Sequence, residues 1–562
     1  MVSETAGAAA ARVTIPDTPY TILEQPLGTE SHVRIVTIGA GASGINMIRT
    51  LRTSLTNYTH IVYEKNPKVG GTWYENRYPG CKCDIPAHNY QYSWKPNPEW
   101  NSFFGSAEEI EAYFCGVVEE EDFGREIKTE HRVVQARWNE KGVWELRIED
   151  LRSGIVFDDY CHFLLNASGI LNNWKWPQIP GLHDFKGDLV HSANWPENFE
   201  YPGRKVAVIG NGSSGVQIVP ALQPGNWIAP PSYKTWKSGK VAEILGSLDM
   251  DGENFTPKQI EKFKTSPEYY LEFVKAVEEQ INGRFPMMLK DSERQAQAFK
   301  LLSIYMTTLL GNDKLLCKAL IPSFAVGCRR LTPGPGYLES LTKENVRVVT
   351  ENIARVVPTG IEIATGEVVE VDSLICATGF DLSFRPRFPV IGRKGNLQDL
   401  WTENLPRAYM SCAVPDFPNY FMFLGPNSAI GHGSVITITE HISRYICSII
   451  QKCQTEGILS LSPSHAALSA YSEHIDAFMP RTVWSETCRS WFKNGKETGP
   501  VTALHPGSRI HWFHMLEMFR GEDFEYVYER GRFGYLGNGF STKELEGGED
   551  KTWYLGTLGA NN

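Results

Sequence analysis

Two glycine-rich motifs carry the clearest chemical signal in this 562-residue sequence. Gly39-Ala-Gly-Ala-Ser-Gly44 follows the β-branched run 33–38, and Gly210-Asn-Gly-Ser-Ser-Gly215 follows the run 205–209. Glycines at this spacing let the backbone approach a pyrophosphate, whose charge then lies at the N-terminus of the next helix. Two such motifs predict two bound dinucleotides, which is what a flavin enzyme reduced by a nicotinamide requires. The predicted binding residues are Gly39, Gly41 and Gly44 for the first nucleotide, and Gly210, Gly212, Ser213, Ser214, Gly215 and Gln217 for the second.

An acidic residue strengthens the first motif. Ile61-Val-Tyr-Glu64 is a second strand-like run, and its acid lies 20 residues after Gly44. A carboxylate at this position accepts hydroxyls of an adenosine ribose in dinucleotide-binding folds. The sequence therefore predicts that Glu64 binds the ribose, in preference to a merely tight turn between a strand and a helix.

Alternating strands and helices must position these motifs. The pattern predicts an α/β fold with two Rossmann-like dinucleotide-binding domains, whose parallel sheets are covered by helices on both faces. Two further segments, 163–169 and 374–379, each run from an apolar strand into a turn of small residues. They resemble the ATG-type turns of flavoproteins with two dinucleotides.

Between about 245 and 320 the pattern becomes helical. The apolar residues form two stripes, Tyr270, Phe273, Val274, Val277 and Ile281, and then Phe299, Leu302, Met306 and Leu309. They predict a helical insertion that caps the second nucleotide domain. Packing is the favoured role for these stripes, and a contribution to a substrate pocket is the alternative.

Composition and charge argue against several classes of function. The net charge of −10 and the lack of a basic run argue against a nucleic-acid partner. No window reaches the ~18 consecutive apolar residues of a spanning helix, so no membrane span is expected. The eleven cysteines are scattered, which favours reduced thiols in an intracellular, cytoplasmic setting. Cys81-Lys82-Cys83 lacks a second ligand pair at zinc spacing, so we expect no metal.

The segment 185–196 points to a family. It reads Phe-Lys-Gly-Asp-Leu-Val-His-Ser-Ala-Asn-Trp-Pro and fits F-x-G-x-x-x-H-x-x-x-W-P without a gap. This resembles the signature of Baeyer–Villiger monooxygenases, class B flavoproteins that use FAD, NADPH and O₂. The resemblance extends from about 33 to 540. It implies that His191 couples domain motion to cofactor binding, and a structural histidine with satisfied hydrogen bonds is the alternative.

A second motif, 70–84, is similar to the family pattern G-G-x-W-x-x-x-x-Y-P-G-x-x-x-D. The resemblance implies that the cofactors are contacted by Thr72, Trp73, Tyr74, Glu75, Tyr78, Lys82, Cys83, Asp84, Ile85 and Tyr90. Farther along the chain, it places Val435 beside the flavin ring and Trp491 on the loop that folds over the nicotinamide.

A third motif, 327–337, resembles the active-site arginine segment of the family. It implies that Arg330 is catalytic and that Asp84 holds its guanidinium through charge-assisted hydrogen bonds. Arg329 takes the position that meets the 2′-phosphate of NADPH.

The family chemistry explains why an arginine is needed. The resemblance implies insertion of one oxygen atom of O₂ beside the carbonyl of a small ketone, giving an ester or lactone through a C4a-peroxyflavin. That oxidant is anionic, and a guanidinium stays protonated at any working pH. The wording of the arginine segment favours a polyketide or terpenoid intermediate of secondary metabolism. An N- or S-oxygenating flavin monooxygenase and a degenerate flavin-binding protein are the alternatives, and the oligomeric state stays open.

The order of the motifs predicts the domain organisation. Residues 1–30 are expected to form a mobile or loosely docked arm. An FAD-binding domain comprises 31–180 and 381–562, and an NADP-binding domain comprises 181–380.

One segment departs from the family pattern. The predicted helix 213–222 is followed almost directly by 223–231, which leaves no room for the next strand and its 2′-phosphate-reading turn. About a dozen residues are missing relative to the family pattern. Lys234, Lys237 or Lys240 could substitute as phosphate ligands, although solvated loop lysines are the simpler interpretation.

Overall fold

The strands form five sheets among the described residues, and several of these sheets combine strands from distant parts of the chain. The computed structural model describes residues 20–223, 239–246, 253–332, 334, 336–545 and 551–555. The strands are β1 (Val33–Ile38), β2 (Tyr58–Tyr63), β3 (Ile127–Lys128), β4 (His131–Trp138), β5 (Trp144–Asp150), β6 (Val156–Cys161), β7 (Phe163–Asn166), β8 (Asp188–His191), β9 (Val206–Ile209), β10 (Ile353–Val357), β11 (Gly360–Ile363), β12 (Val368–Glu370), β13 (Ser373–Cys376), β14 (Val390–Ile391), β15 (Tyr420–Met422), β16 (Ile458–Pro463) and β17 (Phe524–Tyr528).

The helices connect these strands and cover the sheets. They are α1 (Ala42–Ser54), α2 (Thr72–Glu75), α3 (Ala107–Glu120), α4 (Ser213–Leu222), α5 (Gly239–Gly246), α6 (Pro257–Thr265), α7 (Pro267–Asn282), α8 (Glu293–Leu309), α9 (Lys314–Leu320), α10 (Tyr337–Ser340), α11 (Leu397–Glu403), α12 (Val435–Glu456), α13 (His465–Phe478) and α14 (Arg509–Met515).

The first parallel sheet has the strand order β15-β7-β1-β2-β3. All neighbouring strands in it run parallel, and β15 comes from the C-terminal part of the chain. β1 is buried at almost every residue, which explains its nearly continuous apolar run. Helices α1 and α12 pack on this sheet through a shared core that includes Met47, Leu51, Ile442 and Ile446. The glycine turn after β1 therefore follows a strand that is packed in the core.

A second parallel sheet has the order β8-β13-β9, and α4 begins after β9. The other sheets are β10-β11-β12, β14-β4-β5-β6 and β16-β17, in which the pairs are antiparallel except for β14 with β4. In each of the two parallel sheets one strand, β1 or β9, is followed by a glycine turn and a helix. This arrangement confirms the predicted α/β class.

The helical segment packs differently from the prediction. The first stripe, on α7, is buried at Tyr270, Phe273, Val277 and Ile281. It shares its core with residues of the first nucleotide region such as Ile48. The expectation that this segment caps the second nucleotide domain is therefore wrong for α7, because its apolar face finds a larger apolar partner beside α1 and α3.

The second stripe is only partly covered. On α8, Phe299 is 37% exposed, and Leu302, Met306 and Leu309 are half-buried. Periodicity identified the helix correctly, but it did not reveal how much of its apolar face another element covers.

The part of the N-terminal arm that the structure describes is docked. Leu27 forms a bridge with Ser541, and the Tyr20 hydroxyl donates a hydrogen bond to the Phe533 carbonyl at 3.1 Å. Residues 1–19 lie outside the described residues.

Two cysteines correct the expectation of reduced thiols. Cys328 and Cys488 form a disulfide, with Cα atoms 6.5 Å apart and 160 residues between them in sequence. The other nine cysteines are free. Scattered spacing says nothing about which Cα atoms the fold brings within bonding range, so the pairing was not predictable. Within the described ranges, no helix is both long and apolar enough to cross a membrane.

Candidate functional site

The first glycine turn is shaped to take a phosphate group. Gly39 has a φ of +100°, and a Cβ there would lie 2.8 Å from the Ala167 carbonyl oxygen. A Cβ on Gly44 would overlap the carbonyl of Gly39, and one on Gly71 would lie 3.0 Å from the Gly41 Cα. No side chain caps the N-terminus of α1. An uncapped helix N-terminus beside two facing glycine backbones fits a pyrophosphate, so the residues present are compatible with a dinucleotide.

Glu64 lies directly after β2 and is only 3% exposed. Its Oε2 accepts the Ala40 N–H at 2.8 Å, and its Oε1 accepts the Asn66 N–H at 2.8 Å. Burial raises the pKa of Glu64, while these two backbone hydrogen bonds oppose the rise. Each carboxylate oxygen has a further lone pair, so the group is fixed beside the glycine turn with capacity for ribose hydroxyls.

The second glycine turn repeats this geometry. Gly210 has a φ of +117°, and a Cβ on Gly215 would overlap its carbonyl oxygen. A Cβ on Gly212 would meet nothing within 4 Å, and α4 also begins without a side-chain cap. The Ser213 and Thr332 hydroxyl oxygens lie 2.7 Å apart. The turn therefore presents an open, uncapped N-terminus beside the segment that carries the two arginines.

Arg329 lies at this second turn. Its Nη2 donates to Asn211 Oδ1 at 3.4 Å. Burial lowers the pKa of Arg329, and the neighbouring Tyr337 opposes that change. The Arg329 side chain thus lies beside the second glycine turn, and its contact with the 2′-phosphate of NADPH stays a prediction.

A glutamine joins the two nucleotide regions. The Tyr78 hydroxyl donates to Gln217 Oε1 at 2.9 Å, and Gln217 Nε2 donates to the Lys82 carbonyl at 3.0 Å. Burial raises the pKa of Tyr78, whereas a hydrogen bond with Ser214 opposes the rise. Lys82 Nζ forms an ion pair with Glu253 at 2.8 Å. Through these contacts the segment after α2 packs directly on α4, the helix that follows the second glycine turn.

Asp84 and Arg330 form a bidentate ion pair. Arg330 Nη2 donates to Asp84 Oδ1 at 2.9 Å, and its Nε donates to Asp84 Oδ2. The remaining Nη1 donates to the Ile430 carbonyl at 3.3 Å, and both charged side chains are 18% exposed. Burial acts to lower the pKa of Arg330, but the charge and hydrogen bonds of Asp84 outweigh burial and raise it. The predicted contact is present, and it holds a permanent positive charge in a nearly enclosed place.

Aromatic and apolar groups surround this ion pair. Trp73 Nε1 donates to the Tyr90 hydroxyl at 3.1 Å, with the rings edge-on at 5.4 Å. Cys83 and Ile85 are buried on either side of the carboxylate, and the Ile85 N–H donates to Cys83 Sγ at 3.4 Å. Burial raises the pKa of both Cys83 and Tyr90, so these groups stay neutral beside the charged pair of Asp84 and Arg330.

Thr72, Tyr74 and Glu75, which are the other predicted residues of α2, contact side chains and carbonyls away from the ion pair. The Thr72 hydroxyl donates to the Leu171 carbonyl at 3.1 Å. Tyr74 lies under the Arg77 guanidinium at 4.3 Å, and Glu75 pairs with Lys65 at 2.7 Å. Tyr74 and Glu75 thus contact Arg77 and Lys65 rather than Arg330.

The two predicted cofactor-binding residues of the C-terminal part, Val435 and Trp491, lie on different elements. Val435 is half-buried at the first position of α12. Trp491 is half-buried in a separate apolar cluster. The disulfide between Cys328 and Cys488 ties the segment of Trp491 to the segment of Arg330.

His191 is buried with both ring nitrogens engaged. Its Nδ1 accepts the Ala193 N–H at 3.1 Å, and its Nε2 lies 3.3 Å from the Thr378 hydroxyl. The ring stacks on Trp174 at 4.7 Å, and burial lowers its pKa to about 4. Because Nδ1 accepts, the neutral ring carries its proton on Nε2 and donates to Thr378. These contacts favour a structural role for His191. Its role in coupling domain motion to cofactor binding stays a prediction.

The departure after α4 falls largely outside the described residues. Lys234 and Lys237 belong to the part that is not described. Lys240 is exposed and forms an ion pair with Glu272 at 3.1 Å, so it is engaged away from the arginines. Of the two described candidates for binding a 2′-phosphate, Arg329 contacts the second glycine turn, whereas Lys240 contacts Glu272.

Three contacts of the site were missed by sequence reasoning. Asn211, inside the second glycine turn, accepts a hydrogen bond from Arg329, and Thr332 contacts Ser213 of the same motif. The Ile430 carbonyl accepts a hydrogen bond from Arg330. Asn211 lies inside a glycine motif, so the motif could have identified it as a site residue. A backbone carbonyl carries no residue-type signal, because any residue could supply one. Across the described ranges, no three His, Cys, Asp or Glu side chains meet as a metal site would need.

The chain matches known proteins over most of its own length and most of theirs. The chain is 38% identical over 540 residues to the FAD-binding monooxygenase tazF of Aspergillus terreus, a match that covers 94% of this chain and 95% of the relative. It is 37% identical over 529 residues to the FAD-binding monooxygenase stcW of Emericella nidulans, covering 92% and 87%. A family model described as an NAD(P)-binding Rossmann-like domain matches residues 37–107.

Solved structures confirm the architecture. The closed crystal structure of cyclohexanone monooxygenase matches with a TM-score of 0.73 and 24% identity, over 89% of this chain and all of the other. The OTEMO complex with FAD and NADP matches with a TM-score of 0.73 and 24% identity, over 90% of this chain and all of the other. At this level of identity the likeness concerns the fold.

Proposed function

Because the chain belongs to the family of FAD-binding monooxygenases and uses FAD and NADPH, we propose that it inserts one oxygen atom from O₂ beside the carbonyl of a small ketone. The product is an ester or a lactone. The single observation that carries this proposal is the Asp84–Arg330 ion pair, which fixes a buried positive charge beside Tyr90 and the loop before α12.

Baeyer–Villiger chemistry needs a cation that does not titrate. Bound and reduced FAD would supply the activation of O₂, and Arg330 would stabilise the negative charge of the reacting oxygen atoms. Arg330 has one Nη1–H directed at a carbonyl rather than at Asp84, so the guanidinium is held in place and still offers N–H groups outside the pair. Donors that are fixed before the reaction stabilise such charge without reorganisation, and removal of one costs on the order of 10²–10³ in rate.

We assign the remaining site residues by the turn to which they belong. The first glycine turn with Gly39, Gly41, Gly44 and Glu64 binds FAD. The segment from Thr72 to Tyr90 and the start of α12 at Val435 flank it. The second turn from Gly210 to Gly215 binds NADPH, with Arg329 at its phosphate and Trp491 over its nicotinamide. The division into 31–180 with 381–562 and an inserted 181–380 follows from the same assignment.

We propose a ketone of polyketide or terpenoid origin, oxidised in the cytoplasm. The experiment is product mass spectrometry with purified yellow protein, NADPH and ¹⁸O₂ against a panel of steroid, terpenoid and aromatic polyketide ketones. The proposal expects an ester or lactone that is 2 mass units heavier than the ¹⁶O₂ product. Oxygenation only of added amines or sulfides would instead establish the N- or S-oxygenating alternative. Flavin binding without NADPH-dependent O₂ uptake would establish a degenerate flavin-binding protein.

A further inference from the structure

The loop before α12 connects the arginine centre to a second group of buried polar side chains. Its first residue, Ile430, accepts the hydrogen bond from Arg330. Two residues farther on lies His432, which is 5% exposed and stands between Gly431 and Gly433. The loop thus carries an imidazole only two positions from the carbonyl that orients the guanidinium.

The two glycines bring nitrogen groups from distant parts of the chain to either side of His432. A Cβ on Gly431 would lie 3.1 Å from Trp484 Nε1. A Cβ on Gly433 would overlap the guanidinium of Arg509 and lie 3.1 Å from its Cδ. Trp484 is 0% exposed and Arg509 is 1% exposed. An indole N–H and a guanidinium therefore flank one buried imidazole.

These nitrogens lack the partners that buried polar atoms normally have. Among the described residues, neither ring nitrogen of His432 has a hydrogen-bond partner, nor do Trp484 Nε1 and the Nε and Nη1 of Arg509. The Nη2 of Arg509 forms an ion pair with Glu278, so its charge is balanced while two of its nitrogens stay available. More than about nine in ten buried polar groups in proteins are paired, and a cluster of unpaired ones on one loop needs an explanation.

The charge state of His432 defines what the group offers. Burial lowers the pKa of His432 to about 4, and the nearby charges of Arg330 and Arg284 act in the same direction. His505 also lies close enough to interact with His432 and is itself kept neutral by burial, which lowers its pKa. A neutral imidazole has one donor and one acceptor nitrogen. Together with the indole and the guanidinium, the group offers several donors and one acceptor.

We propose that His432, Trp484 and Arg509 form an oxygen-binding subsite for a ketone that carries further hydroxyl or carbonyl oxygens. This inference rests on the proposed function, since the ketone carbonyl is the part that faces Arg330. The N–H groups of the three side chains donate hydrogen bonds to carbonyl or phenolic oxygens of the substrate. The acceptor nitrogen of His432 accepts a hydrogen bond from one substrate hydroxyl. A ketone that is otherwise a hydrocarbon would leave all of these nitrogens buried and unpaired, which disfavours its binding.

The test compares two probes on the oxidised, FAD-loaded protein by isothermal titration calorimetry. The probes are 2,4,6-trihydroxyacetophenone and acetophenone, which differ only in ring hydroxyls. The subsite predicts that the hydroxylated probe binds at least about tenfold more tightly, the effect of one or two net hydrogen bonds. Equal affinities would overturn the proposal and assign these nitrogens to buried water only.

Variants locate the preference on the named side chains. Trp484→Phe removes one N–H and keeps the bulk, so the preference for the hydroxylated probe should fall by roughly 3–10-fold. Trp401→Phe, in a different buried cluster, is the matched control and should keep the preference. A preference that survives Trp484→Phe at full size would contradict the assignment.

A second pair of variants covers the case in which Trp484→Phe does not fold. His432→Phe removes the donor and the acceptor and should abolish the preference, whereas His432→Gln keeps both kinds of group and should restore part of it. If both variants bind the probes as the wild type does, the proposal is wrong. Because binding to the oxidised protein needs no turnover, these results are independent of the ¹⁸O₂ experiment. Failure of ester formation there would leave an intact binding preference unaffected.

Discussion

At the scale of single residues, two opposing effects set the charge of Arg330. Burial favours the neutral guanidinium, and the carboxylate of Asp84 favours the charged one. The carboxylate wins, and the pKa of Arg330 lies above its ordinary value. The stability that this shift contributes is fully present below the unfolded-state pKa of the guanidinium and is lost as the pH rises through the folded-state pKa. Across the neutral range the group therefore does not titrate, and any pH dependence of oxygenation between about pH 6 and 10 must come from other groups.

A buried histidine makes a testable contribution to acid sensitivity. His88 is enclosed by Phe255, Phe263, Tyr270 and Phe273, and burial lowers its pKa to about 3. Because the folded-state pKa is lowered, the unfolded chain binds more protons below pH 6.5, and stability falls as the pH drops. Acidification from pH 7.5 to 5.0 should cost about 2 kcal/mol through this residue alone. Urea unfolding of His88→Phe should show a loss over that range smaller by this amount. An unchanged loss would mean that His88 is protonated in the fold.

At the scale of elements, the two glycine turns have the same shape and different predicted ligands. A Cβ on Gly44 or on Gly215 would overlap the carbonyl of the first glycine of its own motif. Gly44→Ala should therefore yield protein with little bound FAD, measured by flavin absorbance. Gly215→Ala should retain FAD and raise the KM for NADPH by roughly tenfold or more, since each ~1.4 kcal/mol of lost binding is a factor of ten. The two variants are each other's control, and flavin loss in Gly215→Ala would contradict the assignment of the turns.

The disulfide is the second feature at this scale. It connects the segment of the arginines to the segment of Trp491 across 160 residues of sequence. Cross-links of long loops typically stabilise a fold by about 2–4 kcal/mol. Cys488→Ser should therefore lower the melting temperature of protein purified without reductant, whereas Cys115→Ser, a half-buried free thiol, should not. Titration of eleven free thiols in the denatured wild type would show that the bond does not form.

At the scale of the whole molecule, local patterns predicted the elements better than their contacts. The strand at Val33–Ile38, the helix at Ser213–Leu222 and both glycine turns follow from β-branched runs, glycine spacing and helical periodicity, which are local properties. The Asp84–Arg330 contact spans 246 residues, and only the family resemblance pointed to it. Helix α7 was assigned correctly as a helix and wrongly as a cap of the second domain, since an apolar stripe does not say which apolar surface will cover it.

The polar group around His432 is another set of contacts that local sequence patterns did not predict. Its members come from α14, from a short helical turn at Trp484 and from the loop before α12. Each is unremarkable in sequence, and their unpaired nitrogens exist only as a result of the fold. Contacts of this kind depend on tertiary packing, which neither spacing nor composition encodes.

The most direct test of the account is ester formation by Arg330→Ala with ¹⁸O₂, measured beside its flavin content. We predict that FAD stays bound, because the hydrogen bonds of Arg330 go to Asp84 and Ile430 rather than to the first glycine turn or Glu64, while labelled ester falls by at least about 10²-fold. Arg347→Ala, which breaks an exposed bidentate pair with Glu367, should leave ester formation at the wild-type level. Labelled ester from Arg330→Ala at the wild-type rate, with FAD bound, would contradict the central role of this charge.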